Sequence, residues 1–293
     1  MRHSVTSLAV AVALASMGLA ATAQAGSVST IWVNNATGGA PIIQEYNLTS
    51  GALMTQFNGD GYNGRGVVNV GNIVYYTTAS NNNVYGYNTA TNTDLGAIFS
   101  VSGANGLSTI AYDGTNFWIG DYSGTNQAYL YSMTGTLLKT VSLSQCTGYC
   151  DGLEYGTGVS SINGGKPFLI SNRYDGGGGG ANTYDIYDTN GNLITSNFIT
   201  GHDSSGNTGI AFDGSTFYVD NIRSSTIGEY NTSGTWLQDL TLTGQNYFLG
   251  EDLSVNYAQV LPPAVPEPAS WGVMLVGLVG LAGLAAGRRR TRA

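Results

Sequence analysis

Charge is scarce in this chain, and basic charge scarcer still: Asp, Glu, Lys and Arg make up only 10% of its 293 residues. Between the two chain ends there are five basic side chains (Arg65, Lys139, Lys166, Arg173, Arg223) against 17 carboxylates, a net charge near −12. So acidic a surface repels phosphate backbones, which excludes nucleic acid as a partner. Histidine is nearly missing. His3 belongs to the extreme N-terminus, and His202 alone offers little material for a histidine metal cluster or a Ser-His-Asp arrangement. Cys146 and Cys150 are the only cysteines. Two thiolates cannot complete a zinc site; in an oxidising compartment they suggest a disulfide around Thr147-Gly148-Tyr149. Helix-forming stretches are also rare, while Gly, Asn, Thr, Ser and Tyr abound, which points to an all-β domain. Regularly spaced Tyr, Phe, Ile and Leu argue against disorder, because a packed core needs them.

Long apolar runs occur only at the ends. Arg2 and His3 precede the stretch Leu8 to Ala21, and Ala23-Gln24-Ala25 supplies the small residues a signal peptidase requires. Residues 1–25 read as a signal peptide cleaved after Ala25. At the other end, the Pro-rich stretch 262–268 finishes in Pro266-Glu267-Pro268. Residues 269–287 then carry no charge, and at about 1.5 Å per residue a helix of that length spans a bilayer core of roughly 30 Å. The tail 288–293, with Arg288, Arg289, Arg290 and Arg292, should stay cytoplasmic.

An ordinary tail anchor shares that hydropathy. The order of Pro-Glu-Pro, short apolar helix and terminal arginines resembles the PEP-CTERM sorting signal of exopolysaccharide-producing Gram-negative bacteria. The resemblance implies an exosortase that recognises the tail and removes it. The protein would then be held at the inner membrane first and released to the cell surface, envelope or extracellular matrix afterwards.

Residues 26–261 are a repeat. A tyrosine followed by a polar turn and an apolar residue recurs at Tyr46, Tyr87, Tyr131, Tyr187 and Tyr230, in steps of 41, 44, 56 and 43. A short apolar strand recurs with anchors at Val68, Ile110, Leu153, Ile210 and Leu253, in steps of 42, 43, 57 and 43. Two markers sharing one period and one insertion define a unit. Its clearest copy reads as strands Gly209 to Phe212, Thr216 to Asn221, Thr226 to Tyr230 and Trp236 to Leu242, with Asp213-Gly214 and Ser233-Gly234 as turns.

Four strands in about 43 residues mark a propeller blade. The count predicts a β-propeller of five four-stranded blades. The N-terminal stretch has only three strands (Ser29 to Asn34, Ile42 to Tyr46, Leu53 to Phe57), and Glu251 to Gln259 supplies the fourth, closing the ring. Six blades, a sandwich or a solenoid are the alternatives; a sandwich or solenoid would leave that last strand unexplained. The insertion in the fourth unit falls at 156–165 and in the glycine run 176–180, both read as loops. Units such as Tyr112-Asp113-Gly114-Thr115-Asn116-Phe117-Trp118-Ile119 resemble the degenerate blades of NHL or quinoprotein-like surface propellers. That group includes lactonases, dehydrogenases, cyclotransferases and plain binding modules, so the likeness fixes no activity.

Candidate sites are few. Aligning the second strands places Asn35, Thr78, Asp121, Asn172 and Asn221 at equivalent positions, with Arg173 and Asp220 beside them. Such a polar circle on one face, among aromatics, suits sugar recognition. Polar residues that merely end strands would give the same pattern. Asp188-Thr189-Asn190-Gly191-Asn192 begins like a calcium loop but lacks the distal glutamate, so it reads as a turn. The leading expectation is a non-catalytic surface or matrix propeller that binds or scaffolds polysaccharide or an envelope partner, without a cofactor. The alternative is a lactonase-like hydrolase that uses acidic residues and a divalent cation such as calcium. Regularly spaced threonines that would suit ice binding are not present.

Overall fold

The computed structural model describes residues 28–260, apart from 105, 123–124, 147–150, 174–182 and 203–205. The signal peptide, spacer, apolar segment, basic tail and glycine run 176–180 lie outside the described residues.

Blade I begins with β1 (Thr30–Asn35), β2 (Ile42–Asn47) and β3 (Leu53–Asn58). Blade II contains β4 (Gly64–Val70), β5 (Ile73–Thr78), β6 (Asn83–Asn88) and β7 (Thr93–Ser100). Blade III contains β8 (Leu107–Tyr112), β9 (Asn116–Asp121), β10 (Gln127–Ser132) and β11 (Leu137–Ser142). Blade IV contains β12 (Leu153–Gly156), β13 (Phe168–Arg173), β14 (Thr183–Asp188) and β15 (Leu193–Thr200). Blade V contains β16 (Asn207–Phe212), β17 (Thr216–Asn221), β18 (Thr226–Asn231) and β19 (Trp236–Thr241). The last strand, β20 (Gly250–Ser254), returns to pair with β1 and makes the fifth four-stranded sheet. Val33 faces Leu253 and Trp32 faces Ser254. The five blades and the closure expected from the period are therefore present. Most strand ends differ from expectation by a residue or two: β1 ends at Asn35, and β16 starts at Asn207. The closing strand, expected over Glu251 to Gln259, stops at Ser254, and the chain turns helical from Tyr257. The insertion after β12 includes a single 3-10 turn at Asn163–Gly165.

Burial grades from the axis outwards. Every residue of β8 and β16 is buried, whereas β3 and β19 are largely exposed. This explains why the inner strands show no polar alternation. Small residues let these strands meet backbone to backbone: a Cβ on Gly209 would lie 2.2 Å from Asp252 Cα. Polar side chains stitch the axis. Asp252 Oδ2 accepts from Val67 N at 3.2 Å and Thr109 Oγ1 at 2.8 Å, while Thr109 Oγ1 accepts from Leu153 N at 3.2 Å. Two side chains thus join four blades.

The recurrent tyrosine-plus-turn motif has a physical role in each blade. Asn47, Asn88, Asp188 and Asn231 accept backbone N–H bonds from the turns that follow them. The turn glycines also dock on the preceding blade. A Cβ on Gly51 would meet Thr241 O, on Gly135 Phe99 Cβ, on Gly191 Ser142 O and on Gly234 Phe198 O.

Because β20 ends opposite the start of β1, the chain enters and leaves the ring on one face. There α1 (Tyr257–Val260) seals the bottom of the axis. Tyr257 is buried, and its hydroxyl donates to Glu154 Oε2 on β12.

Candidate functional site

The five aligned polar residues fall at equivalent ends of the second strands. Asn35, Thr78, Asp121, Asn172 and Asn221 fall at or next to the last position of β1, β5, β9, β13 and β17, on the face opposite the chain ends. All five are buried and bonded within the ring. Asn35 Nδ2 donates to Ile42 O and Gln44 Oε1, and its Oδ1 accepts from Leu249 N. Thr78 Oγ1 meets Ser80 Oγ at 3.2 Å, and Asp121 Oδ2 accepts from Thr125 and Tyr129. Asn172 joins Gly152 N to Thr208 O, and Asn221 Oδ1 accepts from Arg223 N. Arg173 makes a forked pair with Asp185 at 3.1 and 3.2 Å. Asp220 Oδ1 accepts from Thr208 Oγ1 and Gly209 N. These bonds hold strand ends and loops in place, and a ligand on this face would have to compete with them.

On the inner strands lies a group that sequence spacing did not reveal. Arg65 Nη1 is 2.5 Å from Glu251 Oε1, and its Nη2 donates to Tyr122 Oη at 3.0 Å while the guanidinium sits over that ring. Opposed by burial, the guanidinium is held charged by Glu251, Asp151 and Tyr122. Burial raises the carboxyls of Glu251 and Asp151, in both cases against the pull of Arg65. Burial likewise takes Asp220 to about 6 and lifts Asp252 well above the carboxylate range. Asp151 Oδ1 and Asp220 Oδ2 are buried without a hydrogen-bond partner. Among the described residues no three His, Cys, Asp or Glu side chains are grouped to hold a metal ion.

A second feature lies at the seam between blades I and II. A recess of about 250 Å³ is lined by the aromatics Trp32, Phe57 and Tyr87 together with Glu45, Thr55, Gln56, Thr89 and Asn92. Phe57 and Tyr87 stack at 3.8 Å with 7° between planes, and Trp32 tilts against Phe57 at 6.0 Å. Glu45 sits directly across from Trp32 in the β1–β2 pair and from Thr55 in the β2–β3 pair. Burial raises its carboxyl, and a bond to the Thr30 side chain pulls it partly back.

The remaining candidates play local parts. Asp188 closes its turn by accepting from Asn190 and Asn192, and those bonds outweigh slight burial and hold its carboxyl low. His202 stacks on Trp236 at 4.0 Å. Cys146 is buried, with Sγ 3.6 Å from Asn172 O, while Cys150 lies outside the described residues.

The chain is thus a five-bladed propeller of antiparallel sheets. Residues 264–290 match the PEP-CTERM protein-sorting motif, which marks the protein as exported, anchored in the membrane before processing, and a partner of an exosortase. No curated protein matches the chain. Among solved structures it is similar to a chain from the crystal structure of a nidogen/laminin complex. That match has a TM-score of 0.52 and 10% identity, and covers 78% of this chain and 99% of the other. A likeness at that identity describes the fold alone.

Proposed function

We propose that the released propeller is a non-catalytic module of the cell surface or extracellular matrix that binds or scaffolds polysaccharide or an envelope partner. The observation that carries this reading is the joining of a sorting motif at 264–290 to a ring closed by its own two ends. What is exported is a disc whose axis is stitched shut by Asp252 and Thr109, which leaves its faces and seams for recognition. Both chain ends leave from one face, so before processing that face turns towards the membrane and the opposite face turns outward. Asn35, Thr78, Asp121, Asn172, Asp220 and Asn221 lie buried beneath that outer face, beside partly buried Arg173, and brace the loops that a partner would meet. The test is to apply the processed propeller, residues 26–265, to a glycan array and to the host's own exopolysaccharide. Retention on either supports the reading, and failure on both removes it.

The unpartnered oxygens of Asp151 and Asp220 favour a second reading, a cation-dependent hydrolase of the lactonase type. A calcium ion near these carboxylates would supply a Lewis acid for ester or lactone cleavage. Metal analysis of the purified protein, with a panel of lactones and esters, separates the two readings. A stoichiometric ion together with turnover selects the hydrolase.

A further inference from the structure

We infer that the recess between blades I and II is a subsite for one neutral pyranose unit of a polysaccharide, an inference that rests on the binding reading above. The seam departs from the repeat in two ways, and both open the recess. In the other four blades the turn after the third strand carries a glycine that docks on the preceding blade's outer strand, at Gly51, Gly135, Gly191 and Gly234. In blade II the turn reads Asn88-Thr89-Ala90-Thr91-Asn92, without glycine, and Asn92 takes the left-handed conformation at φ 50°. A turn with side chains cannot close on β3 as tightly, and Thr89 and Asn92 become its wall.

The second departure concerns the repeated tyrosine. In blades III, IV and V its hydroxyl accepts a backbone N–H from the loop entering the blade: Tyr131 from Ser102, Tyr187 from Gln145 and Tyr230 from His202. Those three rings are buried. In blade II this bond is made instead by Tyr76 on β5, which accepts from Asp60 N at 2.7 Å. Tyr87 is thereby released from the loop. It is only partly buried and stacks on Phe57 at the recess. A residue relieved of its structural bond has been turned towards the cavity.

The lining suits a sugar. Glu45, Gln56, Thr55, Thr89 and Asn92 make a mainly polar surface that offers donors and acceptors to its hydroxyls, and the partly buried Phe57 and Tyr87 add a smaller apolar share against its C–H groups. Partly dehydrated, Glu45 is a strong acceptor. No basic side chain lines the recess, and the surface around it is acidic, so a uronate or phosphorylated sugar is disfavoured.

The test follows the intrinsic tryptophan fluorescence of the processed propeller titrated with neutral and with acidic oligosaccharides. It compares wild type with Glu45→Gln, Gln56→Ala and the filling variant Thr55→Trp, whose site is exposed and whose fold is checked by circular dichroism. The expected result is saturable binding of neutral sugars that weakens tenfold or more in Glu45→Gln and Thr55→Trp, with acidic sugars weaker throughout. Wild-type binding that all three variants retain would overturn the subsite and leave the binding reading standing. A wild type that binds no glycan removes both.

Discussion

Arg65 on β4 pairs with Glu251 on the neighbouring inner strand β20, which closes the ring, Nη1 to Oε1 at 2.5 Å. Asp151, entering blade IV, and Tyr122, leaving blade III, complete the surroundings of that guanidinium. Among the described residues Arg65 is the one cation seen at the axis, and it links its own blade to three others. Its removal leaves buried carboxyls without a counter-charge. Arg65→Met is expected to cost about 3–5 kcal/mol, because breaking a buried pair is worse than replacing it whole. Urea unfolding of Arg65→Met and of Arg65→Met/Glu251→Met checks this, with the double variant recovering part of the loss.

Tyr257 and Glu154 set a pH dependence. Burial takes Glu154 from 4.5 to about 8, and the bond from Tyr257 only partly offsets it. The folded state therefore holds a proton that the unfolded chain has released. The stability tied to Glu154 is fully present below pH 4.5 and is lost as pH rises towards 8. The slope is at most about 1.4 kcal/mol per pH unit for one group. Asp220, raised from 3.8 to about 6, adds a loss of the same sign over that lower window. Urea midpoints should fall from mildly acidic to mildly alkaline buffer, and Glu154→Gln should flatten the fall.

Glycines differ sharply in what they tolerate. At Gly209 an added Cβ meets Asp252 Cα at 2.2 Å, whereas at Gly71, φ +63°, nothing lies within 4 Å. Gly209→Ala should separate two inner strands and unfold the ring or cost several kcal/mol. Gly71→Ala carries only the left-handed backbone penalty, about 1–2 kcal/mol. Thermal melts of the two variants make the comparison. Equal effects would mean that the inner strands are not in backbone contact.

Processing has its own check. The sorting motif places Pro266-Glu267-Pro268 ahead of the apolar segment. Mass spectrometry of the native protein should find a chain that begins at Gly26 and lacks the tail. Deleting the exosortase, or replacing Glu267 with Ala, should leave the tail attached and the protein in the membrane fraction.

The period of the chain was readable because each blade repeats the same bonds. Asn47, Asn88, Asp188 and Asn231 cap equivalent turns, and Leu253 announced a strand with no blade of its own. The matching strand-end positions of Asn35 and Asn221 were readable for the same reason, since both close a second strand. The bonding of these polar residues was not, because partners such as Leu249 and Thr208 belong to other strands and loops. Arg65, Asp151 and Glu251 lie far apart in sequence and share no motif; only ring closure brings them together. The recess at Trp32 and Tyr87 arises where the repeat fails, in a turn that looked like one more copy.

Truncation before Gly250 tests the central claim most directly, because it removes β20 and α1 while sparing the rest of the propeller. A ring latched by its ends predicts that residues 26–249 lose the cooperative urea transition and the near-ultraviolet signal of residues 26–265. A truncated chain that unfolds cooperatively at the same urea midpoint would show that the last strand closes nothing.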